Sequence, residues 1–297
     1  MAYLFVVFSA ISSALFGQTY KRKIDKGFST SEVLTWFSLA GILIMSTFLP
    51  FVHGAVYTGQ TIWLPVLYGA VMSFAMYTYY AVIEKIRLGI SWTVVQLSVV
   101  FPFFTSIVLF SEPTGLLAYV GFSLIIGSIL LFGLPQYHNH ASKRGNVGPQ
   151  IIAGLLLFAA SFFTGVTSSI IRIFAFFYPE AEAIPSFFVI VFATQLLLVA
   201  PIYITRIFRG RKSSNVGLVL RFAVYKSVTN LLSMGLLLLS VQFLPGYFVF
   251  PVKNSLAILF VVVISKSIYK EEMNRPEIIG LGLGVIGMTI LSFQLYR

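Results

Sequence analysis

Ten long apolar segments, separated by short polar links, make up almost the whole of this 297-residue chain. Each segment is continuously apolar, and a helix of roughly 20 residues crosses a bilayer core about 30 Å thick. Transmembrane strands alternate apolar and polar positions instead, so the pattern predicts an all-α membrane protein with ten transmembrane helices. The predicted spans lie near residues 2–19, 32–52, 61–84, 89–110, 115–134, 149–172, 184–205, 217–242, 246–268 and 276–296.

The ten spans divide into two sets of five. We expect a first five-helix repeat over residues 1–134, a cytoplasmic linker over 135–148 and a second five-helix repeat over 149–297. An odd number of spans in each repeat inverts the second repeat in the membrane relative to the first. Inverted repeats are typical of secondary transporters, whose binding site opens alternately to the two sides.

Composition and charge agree with this topology. Apolar residues make up 58% of the chain and charged residues 10%, against roughly 45–50% and about 25% in soluble domains. Sixteen of the 20 Lys and Arg residues lie in odd-numbered connections, whereas the even-numbered connections carry Arg172 alone. Because Lys and Arg are enriched on the cytoplasmic side, we expect a multi-pass plasma-membrane protein with cytoplasmic odd connections and external termini. The net charge of +11 therefore does not indicate nucleic-acid binding.

An acidic turn followed by a Gly-rich closing helix occurs once in each repeat. An offset of 159 residues superposes Glu112 on Glu271 and Gly121 on Gly280. Together with the span count and the duplication, this pattern resembles the drug/metabolite transporter superfamily, in its ten-helix branch of paired EamA-type units. The resemblance covers essentially the whole chain. It implies a carrier of amino acids, drugs, nucleotide sugars or other metabolites.

Lys253 is the first candidate for substrate binding. It lies seven residues into the ninth span, next to Asn254 and at a place where many members of that superfamily have a proline. An ionisable side chain inside the bilayer costs at least about 2.5–3.5 kcal/mol, so it indicates a functional site. Its counterpart in the first repeat is Gln96, and an ammonium facing a carboxamide favours an anionic or carboxylate-bearing solute. The alternative is that Lys253 extends to the outer surface.

Two polar residues of the eighth span, Lys226 and Asn230, share one helix face at i, i+4 spacing. Lys226 lies only five residues beyond Arg221, so we expect its ammonium to extend to the cytoplasmic surface rather than to bind substrate. Asn230 lies deeper and needs a hydrogen-bond partner, which keeps it a candidate for the site. Arg172, at the outer end of the sixth span, is expected to be an interfacial anchor.

Tyr80 and Gln195 complete the candidate site. Tyr77, Tyr79 and Tyr80 crowd the cytoplasmic half of the third span, where they line a solute cavity or form an interfacial belt, the interpretation that we favour. Gln195 lies in the middle of the seventh span and either binds solute or forms a helix–helix hydrogen bond.

Several other functions are disfavoured. The nine acidic residues all lie in predicted links or at span ends, so no embedded carboxylate is present to bind a lipophilic cation or relay a proton in the simplest way. The three histidines also lie in predicted links, and the chain has no Cys, HExxH motif or phosphate-binding loop. We therefore expect no enzymatic activity, no cofactor and no metal site.

The sequence thus predicts a secondary active transporter that moves a small metabolite by alternating access, with the solute and the lipid bilayer as its partners. An anionic or carboxylate-bearing cargo, such as an amino acid, is favoured. Broad-specificity drug or metabolite efflux and the flipping of a lipid-linked sugar are the alternatives. Gly280 and Gly284 form a GxxxG face in the tenth span, where packing within the chain is favoured over a homodimer contact.

Overall fold

The computed structural model of the chain describes residues 2–51, 62–83, 92, 95–141, 147–178, 183–210, 214–269 and 275–294. These residues form ten α-helices and no strand, which confirms the predicted all-α class. The helices are α1 (Ala2–Asp25), α2 (Thr30–Ser46), α3 (Trp63–Ile83), α4 (Val100–Phe110), α5 (Leu116–Ala141), α6 (Val147–Phe177), α7 (Ala183–Phe208), α8 (Val216–Phe243), α9 (Gly246–Tyr269) and α10 (Arg275–Gln294). Short 3-10 turns lie at Leu49–Phe51 and Leu97–Val99.

Five of the described helices are long and apolar enough to cross a bilayer. Their apolar stretches are Ala2–Tyr20, Trp63–Ile83, Ile152–Phe177, Ala183–Phe208 and Val216–Phe243. The other five carry shorter apolar stretches of 10–17 residues. The length and composition of these helices agree with a multi-pass α-helical membrane protein.

Several helices extend beyond the predicted spans. Between Tyr20 and Gly27 no Gly or Pro interrupts the chain, and α1 continues to Asp25 before Gly27 turns the backbone at φ 66°. Helix α5 likewise continues to Ala141, so His138 and His140 are helical rather than in a link as expected. The third histidine and Glu271, the counterpart of Glu112, lie outside the described residues.

The helices of residues 2–110 and 116–141 pack mainly against those of residues 147–294. Helix α1 packs on α8 and α9, α2 on α7 and α8, and α3 on α6 and α7. Helix α4 contacts α6 and α9, and α5 forms a long seam with α10. The same set of helix–helix contacts results when the first five helices are exchanged with the last five. The contact of α1 with α8 then corresponds to that of α6 with α3, and the contact of α1 with α9 to that of α6 with α4. The core of the protein therefore lies between the two sets.

The seam between α5 and α10 depends on small residues. A Cβ on Gly121 would lie 2.9 Å from the carbonyl oxygen of Gly287, so the two backbones touch. Ser128 Oγ donates a 2.6 Å hydrogen bond to the carbonyl of Gly280, and a Cβ on Gly284 would meet the same hydroxyl at 2.8 Å. The Gly280 and Gly284 face is thus used for packing within the chain.

Two buried glutamates fasten the two ends of the bundle. Ser29 begins α2 and accepts a hydrogen bond from the Glu32 amide at 3.3 Å. The Glu32 carboxylate accepts hydrogen bonds from the amide and the hydroxyl of Ser214, at 3.0 and 2.9 Å, directly before α8. At the other end, Glu112 lies in the loop between α4 and α5, where Ser111 takes a left-handed conformation at φ 49°.

Candidate functional site

The ammonium of Lys226 is fully buried between the two sets of helices. Lys226 lies on α8, and its Nζ donates a 3.2 Å hydrogen bond to Thr19 Oγ1 of α1. Four rings from α1, α2 and α3 surround the Nζ atom, and we call them the aromatic cage: Tyr20 at 3.8 Å, Phe16 at 4.1 Å, Phe37 at 5.3 Å and Tyr80 at 5.4 Å from ring centroid. The predicted extension of Lys226 to the cytoplasmic surface is therefore wrong, because the cage closes over its ammonium.

Aromatic rings and one hydroxyl, rather than a carboxylate, surround the Lys226 ammonium among the described residues. The described residues give Lys226 no ion pair with a carboxylate. A cation–π contact is worth about 0.5–1 kcal/mol when exposed and about 2 kcal/mol when desolvated, whereas an unpaired buried charge costs far more. The hydrogen bond to Thr19 uses one of the three donors of the ammonium. Lys226 therefore has no anionic partner among the described residues and keeps spare hydrogen-bond donors in the core.

Three buried polar atoms near this charge have no hydrogen-bond partner among the described residues. They are the Tyr80 hydroxyl, the Trp92 indole nitrogen and Asn230 Oδ1. Tyr80 and Trp92 both pack on Tyr20, with ring centroids 4.7 and 6.4 Å apart, so the aromatic cluster continues from the cage to Trp92. Asn230 follows Lys226 by one helical turn. These atoms leave hydrogen-bonding capacity that the described residues do not use.

The interfacial belt favoured for the tyrosines of the third span is wrong for two of them. Tyr79 and Tyr80 are only 4% and 1% exposed, and both pack on Tyr20. Tyr77 is half-buried and is not among the rings around Lys226. The structure therefore places Tyr80 beside Lys226, and its contact with a solute stays a prediction.

Lys23 was not predicted as a site residue, because its sequence position places it in the first link, after the predicted span 2–19. Because α1 continues to Asp25, Lys23 is buried beside the cage. Its Nζ lies 4.9 Å from the Tyr80 ring centroid and donates a 3.0 Å hydrogen bond to Thr30 Oγ1. The absence of any helix-breaking residue before Gly27 was the signal that could have placed Lys23 on the helix.

Lys253, Asn254 and Gln96 are also buried, with 6%, 7% and 5% of their surface exposed. The first turns of α9 are buried on every side, so Lys253 does not extend to the surface of the protein. The turn Leu97–Val99, which follows Gln96, packs on α9, but no hydrogen bond joins Gln96 to Lys253 among the described contacts. The predicted packing of these two helices is thus present, without a hydrogen bond between the two side chains among the described contacts.

Lys226 and Lys253 lie at different depths. Lys226 precedes the turn at Leu244 by 18 residues and Lys253 follows Gly246 by seven. At a rise of 1.5 Å per residue, the two positions are roughly 15 Å apart along the bundle. Lys226 and Lys253 therefore lie in two separate places rather than in one cluster.

Gln195 has a packing role. Its Oε1 accepts a 3.2 Å hydrogen bond from Ser38 of α2, and its Nε2 lies 3.4 Å from Met76 Sδ of α3. The residue is fully surrounded by these helices. The structure thus favours the helix–helix hydrogen bond over the solute contact for Gln195.

Arg172 is not the interfacial anchor that we expected. Its guanidinium pairs with Glu112 through Nη2 and through a 3.1 Å hydrogen bond from Nε. The same carboxylate accepts hydrogen bonds from the amides of Gly246 and Tyr247, at 3.0 and 3.1 Å, and so caps the N-terminus of α9. The Arg172 guanidinium also lies 4.7 Å from the Phe110 ring centroid. The pair therefore binds the loop after α4 to α6 and α9.

The comparisons with known proteins support the fold alone. No protein-family model and no curated protein match this chain. A solved structure titled "Crystal structure of protein" superposes on it with a TM-score of 0.69, over 97% of this chain and 98% of that chain, at 11% identity. At this identity the likeness establishes a shared fold over the whole length of both chains.

Proposed function

We propose that this chain is a secondary active transporter that moves a small anionic solute, most simply a carboxylate, by alternating access. One observation carries the proposal: the Lys226 side chain is buried at the junction of the two sets of helices, without a carboxylate partner among the described residues. The lysine comes from α8 in the second set, whereas the cage comes from α1, α2 and α3 in the first. A solute held there contacts both sets, so their relative movement would expose it to one side or the other.

The packing of the helices supports two inverted repeats over residues 1–134 and 149–297. Contacts between the sets recur when the first five helices are exchanged with the last five, as expected for halves related by a pseudo-two-fold axis. The resemblance to the drug/metabolite transporter superfamily, in its EamA-type branch, agrees with this arrangement. The distribution of Lys and Arg favours a plasma-membrane protein with cytoplasmic odd connections.

The charge of the interior favours an anion over a cation. Lys226 and Lys253 are both buried, and neither forms an ion pair with a carboxylate within the described residues. An anionic solute would supply the missing counter-charge, whereas a cation would add to the cost of two buried ammonium groups. Asn230, Asn254, Gln96 and Tyr80 would then supply neutral hydrogen bonds.

Counterflow in proteoliposomes tests this function. Vesicles containing the purified protein are loaded with a panel of carboxylates, phosphates, neutral solutes and organic cations, and entry of the labelled solute is measured. We expect Lys226→Gln to reduce carboxylate counterflow at least tenfold, and Lys253→Gln to reduce it as well. Lys26→Gln is the matched control, since Lys26 is an exposed lysine.

Three results would count against an anionic carrier. Uptake of the anionic panel that is unchanged in both Lys226→Gln and Lys253→Gln would exclude an anionic cargo. Counterflow of cationic or neutral drugs alone would support the efflux alternative. Scrambling of a labelled lipid-linked sugar with no counterflow of soluble solutes would support the flippase alternative.

A further inference from the structure

We propose that the aromatic cage and Trp92 bind an aromatic monocarboxylate, with its carboxylate on the Lys226 ammonium and its ring against Tyr20 and Trp92. This inference rests on the proposed function and names the cargo class for the same site. It also moves the principal binding residue from Lys253, which the sequence favoured, to Lys226. Four features support it: the Lys226 ammonium, the unused hydrogen-bond donors near it, the neighbouring aromatic rings, and the amount of negative charge that the ligand can carry.

The unused hydrogen-bonding groups call for an acceptor-rich ligand. Lys226 keeps spare N–H donors after its bond to Thr19, and the Tyr80 hydroxyl and the Trp92 indole N–H have no partner among the described residues. Both side chains are more than nine-tenths buried. Buried donors are normally satisfied, and an indole can only donate. A carboxylate supplies two acceptor oxygens with about four lone-pair sites, which matches this set of donors.

The surrounding surface is aromatic rather than polar. Beyond Lys226, the cluster runs from Tyr20 to Tyr79 at 4.6 Å and to Trp92 at 6.4 Å between ring centroids, and Tyr79 and Trp92 are 6.0 Å apart. Aromatic rings prefer edge-to-face or offset contacts with other rings at such distances. A planar apolar body attached to the carboxylate would therefore find ring partners on its way from Lys226 to Trp92.

The amount of charge favours a monoanion. The four rings of the cage enclose the Lys226 ammonium, whereas Lys23 meets the cage at the Tyr80 ring and donates its hydrogen bond to Thr30. A phosphate monoester carries a charge of about −1.5 to −2 at neutral pH, so it would leave excess negative charge in a dry interior. A carboxylate balances one ammonium.

The aromatic cage also explains how the fold tolerates the buried ammonium of Lys226 when no solute is bound. The faces of Tyr20 and Phe16 lie next to the ammonium and partly replace water around it. Cargo would displace these contacts with a charge-assisted hydrogen bond, which is stronger.

Ligand binding to the purified protein tests the site apart from transport. The chain has three tryptophans, so a Trp36→Phe, Trp63→Phe variant leaves Trp92 as its fluorescent reporter. The probes are phenylacetate, its neutral isostere phenylacetamide, acetate and phenyl phosphate. We expect phenylacetate to quench Trp92 and raise the melting temperature, and the other three probes to bind at least tenfold more weakly. Equal binding of phenylacetamide or acetate would overturn the proposed class, and tighter binding of phenyl phosphate would replace it by a phosphate ester.

Two variants locate the binding site. Lys226→Gln should weaken phenylacetate binding at least tenfold. Tyr80→Phe removes only a hydroxyl that has no partner in the described structure, so it should leave the empty protein as stable as before while weakening binding several-fold. Tyr77→Phe removes a comparable hydroxyl outside the cage and should change neither quantity. Phenylacetate binding that is insensitive to Lys226→Gln and to Tyr80→Phe would overturn the site.

The outcome separates this inference from the proposed function. If the counterflow of other anions is unchanged by Tyr80→Phe and is not inhibited by phenylacetate, the site is refuted and the carrier is left intact. Phenylacetate binding through Lys226 without counterflow of any solute would refute the carrier and leave the site intact.

Discussion

The carboxylate of Glu112 pairs with the guanidinium of Arg172 at the point where it also caps helix α9. Glu112 belongs to the first set of helices and Arg172 to the second, and a further hydrogen bond of 3.5 Å runs from Arg172 Nη1 to the carbonyl of Val241 at the end of α8. One ion pair therefore fastens the α4–α5 loop to α6, α8 and α9. Both side chains are about nine-tenths buried, so the pair is shielded from solvent screening.

Breaking this pair should destabilise the protein strongly. Glu112→Gln keeps the size of the side chain but leaves the Arg172 charge without its partner, which costs about 3–5 kcal/mol for a buried pair. The free energy of unfolding, measured by denaturant titration in detergent, should fall by about that amount. Arg209→Gln, which removes an exposed arginine at the end of α7, should change it by less than about 0.5 kcal/mol.

A double-mutant cycle separates the pair from the cap. Combining Glu112→Gln with Arg172→Gln should cost clearly less than the sum of the two single changes, because no uncompensated charge remains. Strict additivity of the two changes would mean that Glu112 acts only as the cap of α9.

The same pair should control access to the core from its end of the bundle. Ser106 is fully buried, and its hydroxyl lies directly against Gly246, beneath the pair. The chain has no Cys, so Ser106→Cys introduces a single thiol with little change in size. A soluble maleimide should label it slowly, and adding Glu112→Gln should speed labelling about tenfold, as expected if opening becomes easier by about 1.4 kcal/mol.

A second thiol serves as the control for this experiment. Ser38 is equally buried but lies between α2 and α7. Labelling of Ser38→Cys should be unaffected by Glu112→Gln. Equal acceleration at both positions would indicate general unfolding rather than opening of one end.

The seam between α5 and α10 gives a prediction with a control on the same helix. Gly121→Ala would place a methyl group 2.9 Å from a backbone oxygen of Gly287, and overpacking of this kind costs about 1–3 kcal/mol. Gly127, also on α5, has no atom within 4 Å of the same added group. Gly127→Ala should therefore be neutral or slightly stabilising, since Ala is the better helix former. Thermal unfolding of the two variants checks the difference, and a similar loss in both would disprove the close seam.

The sequence predicted the helices far better than the contacts between them. Apolar runs are a property of each segment, so the ten helices and the all-α class followed from the pattern. The burial of Lys226 did not follow from the pattern, because its expected exposure rested only on its distance from Arg221 along the same helix. Part of the cage that covers Lys226 comes from α1. This helix extends past its predicted end at residue 19 to Asp25, and it thereby brings Tyr20 and Lys23 close to Lys226.

The same limit applies to charges that pair across the fold. Glu112 stood out as half of a repeated pattern, but nothing near it in sequence identifies Arg172, 60 residues away. For Gln195, the sequence could not decide between solute binding and a helix–helix hydrogen bond, because its partners Ser38 and Met76 come from two other helices. Polar residues inside apolar spans were thus recognised as important, and their partners required the tertiary structure.

Lys226 is expected to support transport at a cost in the stability of the protein. Lys226→Met keeps the length and apolar stem of the side chain and removes the charge that the cage only partly compensates. Replacing a buried charge by a well-packed apolar group is often neutral or stabilising by about 1–4 kcal/mol. We therefore expect the empty protein to melt at the same or a higher temperature, while carboxylate counterflow is lost. Lys26→Met, at an exposed position, should change neither. A clear fall in melting temperature for Lys226→Met would mean that the ammonium holds the rings of the cage together and serves the fold, because a residue kept for cargo is expected to cost stability rather than to supply it.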